Sequence, residues 1–144
     1  MPDQKPSKPL PAPSPDARPY WDHLRDHELW LPFCRACQTF FFYPRPFCPA
    51  CFGWDIEYRK TSGRGTLYSF AIQYRAFHPG WAGDTPYVAA IVQLDEGPRL
   101  FTTLVDVPPD PDHVRCDMPV EAVFDDVTED VTLPRFRPAG GDRA

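Results

Sequence analysis

Cys34-Arg35-Ala36-Cys37 and Cys48-Pro49-Ala50-Cys51, separated by ten residues, decide how the rest of the chain is read. Each Cys-x-x-Cys pair can wrap one tight turn around a cation, and two such turns close a tetrahedron of four sulfurs. Zinc suits that geometry, being four-coordinate, content with thiolate and free of redox demands. Four protein ligands leave no position for water or substrate, so the expected ion is structural and its binding energy is folding energy for this segment. The same spacing holds a single iron in rubredoxin-type electron carriers. A dedicated carrier needs little beyond its metal module, whereas most of this chain lies outside it.

The flanking residues read as a zinc ribbon. Leu29 to Phe33 is a short strand entering the first pair, and Phe40 to Phe47 is a hydrophobic strand returning toward the second. Arg45, between Pro44 and Pro46, is held in extended backbone and is a candidate anion contact. Phe52 to Arg59 alternates apolar and polar in the manner of a half-buried strand. Upstream, Pro19 opens a helical pattern with Tyr20, Leu24 and His27 on one side. His23 and His27 are four apart, the spacing of a second metal site or an acid–base pair, but no acidic residue completes a metalloprotease motif with them, so a solvated helix face is expected. Residues 1–15 carry six prolines and too little apolar surface to order themselves, which predicts a disordered arm.

Downstream, Ser62-Gly63-Arg64-Gly65-Thr66 predicts a bend or bulge; the Gly-x-Gly is too short to cradle a phosphate. Five strand-like runs follow, at Thr66–Arg75, Tyr87–Leu94, Arg99–Val105, Pro119–Asp125 and Val131–Arg137. Five short antiparallel strands without an intervening helix predict a small closed barrel, and the OB-fold is the commonest of these. The chain is therefore expected to be mainly β. A short N-terminal helical segment and ribbon occupy 16–60 and a five-stranded OB-fold barrel occupies 61–138, followed by a tail at 139–144. The oversized loop 76–86 carries Phe77, His78 and Trp81 and is a candidate contact surface. Asp125-Asp126 and Glu129-Asp130 predict a charged hairpin turn between the last two strands.

Composition narrows the function. Hydrophobic residues at 42% and aromatics at 15% supply a core, and 20 prolines favour short strands and shaped loops over long helices. A formal net charge of −5 gives no global attraction to nucleic acid or to an anionic membrane. The chain opens with no secretory apolar segment, and no apolar run is long enough to span a bilayer. Four of the five cysteines sit in metal-ligand spacing, so a cytoplasmic location is expected. Cys116 has no base in a recognisable signature and reads as a small buried hydrophobe. No catalytic constellation emerges.

The motifs taken together carry a resemblance. They are Cys-x-x-Cys, then Pro44-Arg45-Pro46-Phe47-Cys48-Pro49-Ala50-Cys51, then Gly63-Arg64-Gly65-Thr66-Leu67-Tyr68-Ser69. Leu94-Asp95-Glu96-Gly97-Pro98-Arg99, Met118-Pro119-Val120-Glu121 and Leu133-Pro134-Arg135-Phe136-Arg137-Pro138 complete the set. From about Tyr20 to Pro138 the chain resembles the zinc-ribbon/OB-fold proteins that carry domain of unknown function 35. That resemblance implies a helical segment, a rubredoxin-like ribbon and an OB barrel. It also implies a small non-catalytic partner of a thiolase-like protein or an acyl-CoA hydratase, in lipid, steroid or polyketide-type acyl-CoA metabolism. The other subunit supplies the catalytic residues in such complexes, and the small protein stabilises it or helps to hold acyl-CoA. Cys34, Cys37, Cys48 and Cys51 match the metal ligands. Three positions depart from the pattern: Gln38, Phe52 and Asp117 stand where glycine is common.

Acyl-CoA binding would need cations for the coenzyme phosphates. Arg45, Lys60, Arg64 and Arg75 are the candidates near the junction of the two modules, with Phe77 and Trp81 as apolar contacts. The alternative is a nucleic-acid-binding OB module with bases stacked on exposed aromatics, against which the acidic balance argues. An acyl-transfer enzyme using Cys116 ranks third. A second copy of the chain is a further candidate partner, and the acyl group is left open.

Overall fold

The computed structural model describes residues 8–139. Part of the expected arm (1–7) and all but the first residue of the expected tail (140–144) lie outside the described residues. Within the arm, Lys8 pairs with Asp84 and lies over the ring of Trp81, 4.6 Å from its centroid.

A 3-10 turn at Pro15–Ala17 leads into helix α1, Arg18–Arg25. Its buried residues Tyr20 and Leu24 are one turn apart and face the interior. The helix ends because His27 adopts φ 59°. The N–H of His27 then reaches the Leu24 carbonyl at 2.9 Å, and that of Glu28 reaches His23 at 3.1 Å. This satisfies two carbonyls that the helix end would leave unpaired.

Three strands build the ribbon: β1 (Trp30–Cys34), β2 (Thr39–Phe40) and β3 (Ile56–Lys60), in the order β2-β1-β3. The run from Phe40 to Phe47, read from the sequence as one strand, is a strand only at its first residue. The reason is a missing donor. Pro32 in β1 accepts from the Phe41 N–H at 3.0 Å but has no N–H to return, and Pro44 and Pro46 have none either, so the ladder stops. Phe42 instead turns inward, its ring 5.3 Å from Tyr20.

The barrel comprises β4 (Arg64–Gln73), β5 (Tyr87–Leu94), β6 (Arg99–Leu104), β7 (Pro119–Asp126) and β8 (Thr132–Pro138), closed in the order β4-β5-β6-β8-β7. The strands were expected to be antiparallel throughout. Closure instead pairs β6 and β8 in parallel at Leu104 and Phe136, the arrangement by which a five-stranded Greek-key barrel seals itself. The irregularity in β4 falls between Leu67 and Ser69, downstream of the glycine-rich segment. Gly65 has another duty: a Cβ there would sit 2.2 Å from the Gln93 carbonyl oxygen, so only glycine lets β4 approach β5 this closely.

Val88, Ala90, Val92 and Leu94 alternate inward along β5 and meet Leu67, Leu100, Val120 and Phe136. The same cluster contains Tyr20, Leu24, Leu29 and Leu31, so one core runs through helix, ribbon and barrel. The connection between the modules is hydrogen-bonded as well. Thr61 donates both its N–H and its hydroxyl to the Leu29 carbonyl, and the Ser62 N–H meets Glu96 at 2.8 Å. Among the described residues, no helix is long and apolar enough to cross a membrane.

Candidate metal centre and junction groove

The four sulfurs of Cys34, Cys37, Cys48 and Cys51 lie within 4.8 Å of one another. Cys34 and Cys51 are 3.7 Å apart and Cys37 and Cys48 are 3.9 Å apart. A tetrahedral thiolate site with metal–sulfur bonds of ~2.3 Å requires edges of ~3.8 Å. The cage therefore fits a four-coordinate ion.

Each pair is shaped by its backbone. The Gln38 N–H bonds the Cys34 carbonyl and the Phe52 N–H bonds the Cys48 carbonyl, both at 2.8 Å. Gln38 and Phe52 take φ 59° and φ 61° to complete these turns, which is why glycine serves well at such positions. Asp117, the third departure, is likewise left-handed at φ 69°, its N–H on the Leu67 carbonyl at 2.7 Å. Backbone N–H groups of Cys37, Ala50 and Gly53 point at the sulfurs of Cys34, Cys48 and Cys51 at 3.3–3.4 Å. Such donors stabilise thiolate: the N–H groups of Cys51 and Ala50 bring the Cys48 thiol down to about 7. The crowding works the other way on Cys37, whose thiol the Cys51 sulfur and desolvation push up to about 12. Four sulfurs at this separation cannot all ionise without a cation between them.

The second feature lies where the modules meet. An open groove of about 330 Å³ runs between α1, the 41–47 segment, the 76–86 loop and strands β6 and β8. Trp21, Tyr43, Trp81 and Phe101 are aromatic residues along it, and Arg135 is its charged residue. A larger hollow of about 740 Å³ is lined by Asp22, Arg25, Asp26, Asp126 and Glu129; it is an acidic, water-facing surface without an aromatic wall.

The residues nominated from the sequence are dispersed. Trp81 reaches the aromatic groove, packed on Tyr87 with ring centroids 4.6 Å apart. Lys60 and Arg64 share a separate hollow of about 240 Å³ with Glu28 and Glu121, and Lys60 is paired with Glu28 at 3.2 Å. Trp30, then Lys60, bonds the Glu28 carboxyl and holds it below its usual range. Arg45 and Arg75 are exposed and line neither space, and Phe77 is 91% exposed on its loop.

Other expectations need correction. Cys116 is exposed, and the buried residue beside it is Val114. His27 is solvent-exposed as expected but lies past the end of α1, its ring stacked on Phe124 at 5.2 Å, while His23 is half-buried against Trp30 at 4.2 Å. Asp125 and Asp126 close β7, and the turn itself follows them, with the Val127 N–H on the Val131 carbonyl.

Sequence reasoning overlooked Trp21, Tyr43, Phe101 and Arg135. One signal was available for Phe101. Leu100, Thr102 and Leu104 alternate inward along β6, which turns Phe101 outward.

Comparison with known proteins agrees with both modules. Residues 21–57 match the family model described as ChsH2, rubredoxin-like zinc ribbon domain, and residues 58–125 match ChsH2, C-terminal OB-fold domain. The chain is 35% identical over 139 residues to a probable enoyl-CoA hydratase alpha subunit of Thermomonospora curvata, covering 95% of this chain but 42% of that protein's length. It is 34% identical over 112 residues to a DUF35 domain-containing scaffold protein of Methanocaldococcus jannaschii, covering 76% of this chain and 77% of the relative. Among solved structures, a chain of the Ltp2-ChsH2(DUF35) aldolase superposes with a TM-score of 0.78 at 35% identity, covering 90% of this chain and 99% of that one. The chain belongs to the DUF35 family of ChsH2-like zinc-ribbon/OB-fold proteins.

Proposed function

We propose that this chain is a non-catalytic accessory subunit, clasped by one structural Zn²⁺, that docks on an acyl-CoA-processing enzyme. The partner is a thiolase-like or aldolase protein, or a hydratase, in lipid, steroid or polyketide-type acyl-CoA metabolism. The observation that carries this reading is the likeness to a chain of an aldolase named for two components, which covers 99% of that chain's length. The relatives named as a hydratase alpha subunit and a scaffold protein support the same role.

Cys34, Cys37, Cys48 and Cys51 would hold the ion. When bound, it supplies the positive charge that lets four thiolates share one cage, and with no ligand position left over it does no chemistry on substrate. Four cysteines free of disulfides suit a reducing compartment, which supports a cytoplasmic protein. For acyl-CoA we retain Trp81 beside the apolar group. Arg64 is retained for the phosphates, since Lys60 already has Glu28 as its partner.

The test is co-expression with each thiolase-like, aldolase and hydratase protein of the same host, read by size-exclusion chromatography with light scattering. A stoichiometric complex with one of them is expected, and the same trace reads any self-association. A chain that elutes without any of them would overturn the reading. Calorimetry with acyl-CoA tests the ligand part separately: Arg64→Ala should weaken binding, and unchanged affinity would remove Arg64 from it.

A further inference from the structure

The four cysteines of the cage are alike in sequence but not in exposure. Cys34 and Cys48 are 0% and 1% exposed, Cys37 is half-buried, and Cys51 is exposed. A structural ion calls for four ligands and does not call for one of them to face water. The neighbouring residue widens the opening. A Cβ at Gly53 would lie 3.3 Å from the Cys51 sulfur, and that sulfur is the only neighbour it would press on. The φ of Gly53 lies outside the left-handed region, so the backbone does not demand glycine there. The missing side chain leaves that flank of the sulfur uncovered.

Around an ion all four cysteines are thiolates, so access selects which one meets an oxidant first. A lasting change then needs a second sulfur within reach of the first. Cys34, at the end of β1 in the other knuckle, has its sulfur 3.7 Å from that of Cys51. Cys116 is exposed as well, but it lies outside the cage and has no such neighbour in it.

We propose that Cys51 is a peroxide-sensitive modification site resolved by Cys34, and that its oxidation releases the ion and leaves a disulfide between the two knuckles. The oxidant is a hydroperoxide. The Cys51 thiolate attacks it: an S–O bond forms, the O–O bond breaks, and hydroxide leaves and takes a proton from solvent. The Cys34 sulfur then attacks the Cys51 sulfur: an S–S bond forms, the S–O bond breaks, and a second hydroxide leaves as water. The two thiolates lose two electrons in all, and one hydrogen peroxide becomes two waters. Cys37 and Cys48 are then the only thiolates left, too few to retain the ion. The disulfide joins β1 to the second knuckle where the ion had joined them, so a dithiol reductant reverses the change. This inference rests on the structural zinc proposed above.

The experiment uses the full zinc-loaded chain carrying Cys116→Ser, which removes the other exposed thiol, and stoichiometric hydrogen peroxide. A colorimetric chelator reads released zinc, and mass spectrometry reads intact mass and disulfide linkage. Zinc should leave in step with peroxide consumed, with a mass loss of about 2 Da and a Cys34–Cys51 linkage. Dimedone, a sulfenic-acid trap, should label Cys51 before any other cysteine. Gly53→Ala should load the same zinc and release it to peroxide about fivefold more slowly, because its methyl crowds the sulfur. Dithiothreitol followed by zinc should restore the starting mass and metal content. First labelling at Cys34, Cys37 or Cys48, a Cys48–Cys51 linkage, or an unchanged rate in zinc-loaded Gly53→Ala would overturn the proposal. If Gly53→Ala does not load zinc, the order of trapping in the unsubstituted cage decides. The zinc content of untreated protein tests the metal reading by itself: its absence would overturn that reading, whereas a loaded protein inert to peroxide would overturn this one alone.

Discussion

His27 Nε2 lies 2.9 Å from both carboxylate oxygens of Asp126, joining the end of α1 to the end of β7 across 99 residues of sequence. His27 occupies the left-handed position that ends the helix, a place where glycine would be less strained. The histidine has compensation: its ring stacks on Phe124 and its nitrogen meets Asp126. Replacing it therefore separates two effects. His27→Gly loses the contacts but relieves the backbone; His27→Ala loses the contacts and keeps the strain. Urea denaturation should rank stability as wild type above His27→Gly above His27→Ala. Alanine proving the milder change would contradict this account.

The Thr132 hydroxyl, and after it His27, hold the Asp126 carboxyl below its usual range. The lower folded-state value means that the ionised carboxylate favours the fold. Its contribution is fully present above the unfolded value of about 3.9 and is lost as pH falls through the folded value. Asp126→Asn should thus be less stable than wild type at neutral pH and should close that gap below about pH 4. Thermal melts across pH 2.5–7 give the comparison, with a constant gap as the contrary result.

Metal removal should undo the ribbon. Elemental analysis should return one zinc per chain, and a strong chelator or Cys48→Ser should abolish the near-ultraviolet signal of the ribbon aromatics together with partner binding. Because the sulfurs must be deprotonated to bind, zinc affinity should fall with decreasing pH. A chelated protein with an unchanged spectrum would show that the cage does not hold the ribbon together.

Phe52 is 68% exposed at φ 61°, an uncommon place for a bulky side chain. Phe52→Gly should raise stability by about 0.5–1 kcal/mol, the relieved strain exceeding the added entropy of the unfolded chain. Chemical denaturation of the zinc-loaded protein measures it. A loss of stability would mean that the contact with Phe47, at 6.3 Å between ring centroids, outweighs the backbone.

Leu24 is fully buried in a core shared by helix, ribbon and barrel. Leu24→Ala should cost about 2–5 kcal/mol and should lower ribbon and barrel together in one transition. Separate transitions for metal release and barrel unfolding would show instead that the modules fold independently.

Much of this architecture could be read from local pattern. The run Tyr87–Leu94 is the observed β5 to the residue, because inward and outward positions alternate without interruption. The four cysteines were found by spacing alone, since a knuckle is a local turn. What could not be read depended on partners distant in sequence. Pro32 shortens β2 by withholding a donor from a strand that begins seven residues later. His27 is exposed as its polar surroundings suggest, but its stacking on Phe124 depends on a strand brought beside it only by the fold. Cys116 reads as a small buried hydrophobe, yet Val114 takes the inward place and Cys116, between Arg115 and Asp117, is exposed.

By itself, then, the sequence determined the four-cysteine cage, the N-terminal helix and the five barrel strands, all set by patterns of a few residues. Tertiary structure alone decided the parallel closure of β6 on β8, the His27–Asp126 bond and the groove that unites Trp21, Tyr43, Trp81, Phe101 and Arg135. The physical reason is distance along the chain. A turn or a strand is stabilised by neighbours a few residues away, whereas a groove is the space left between surfaces that meet only when a single core has drawn helix, ribbon and barrel together.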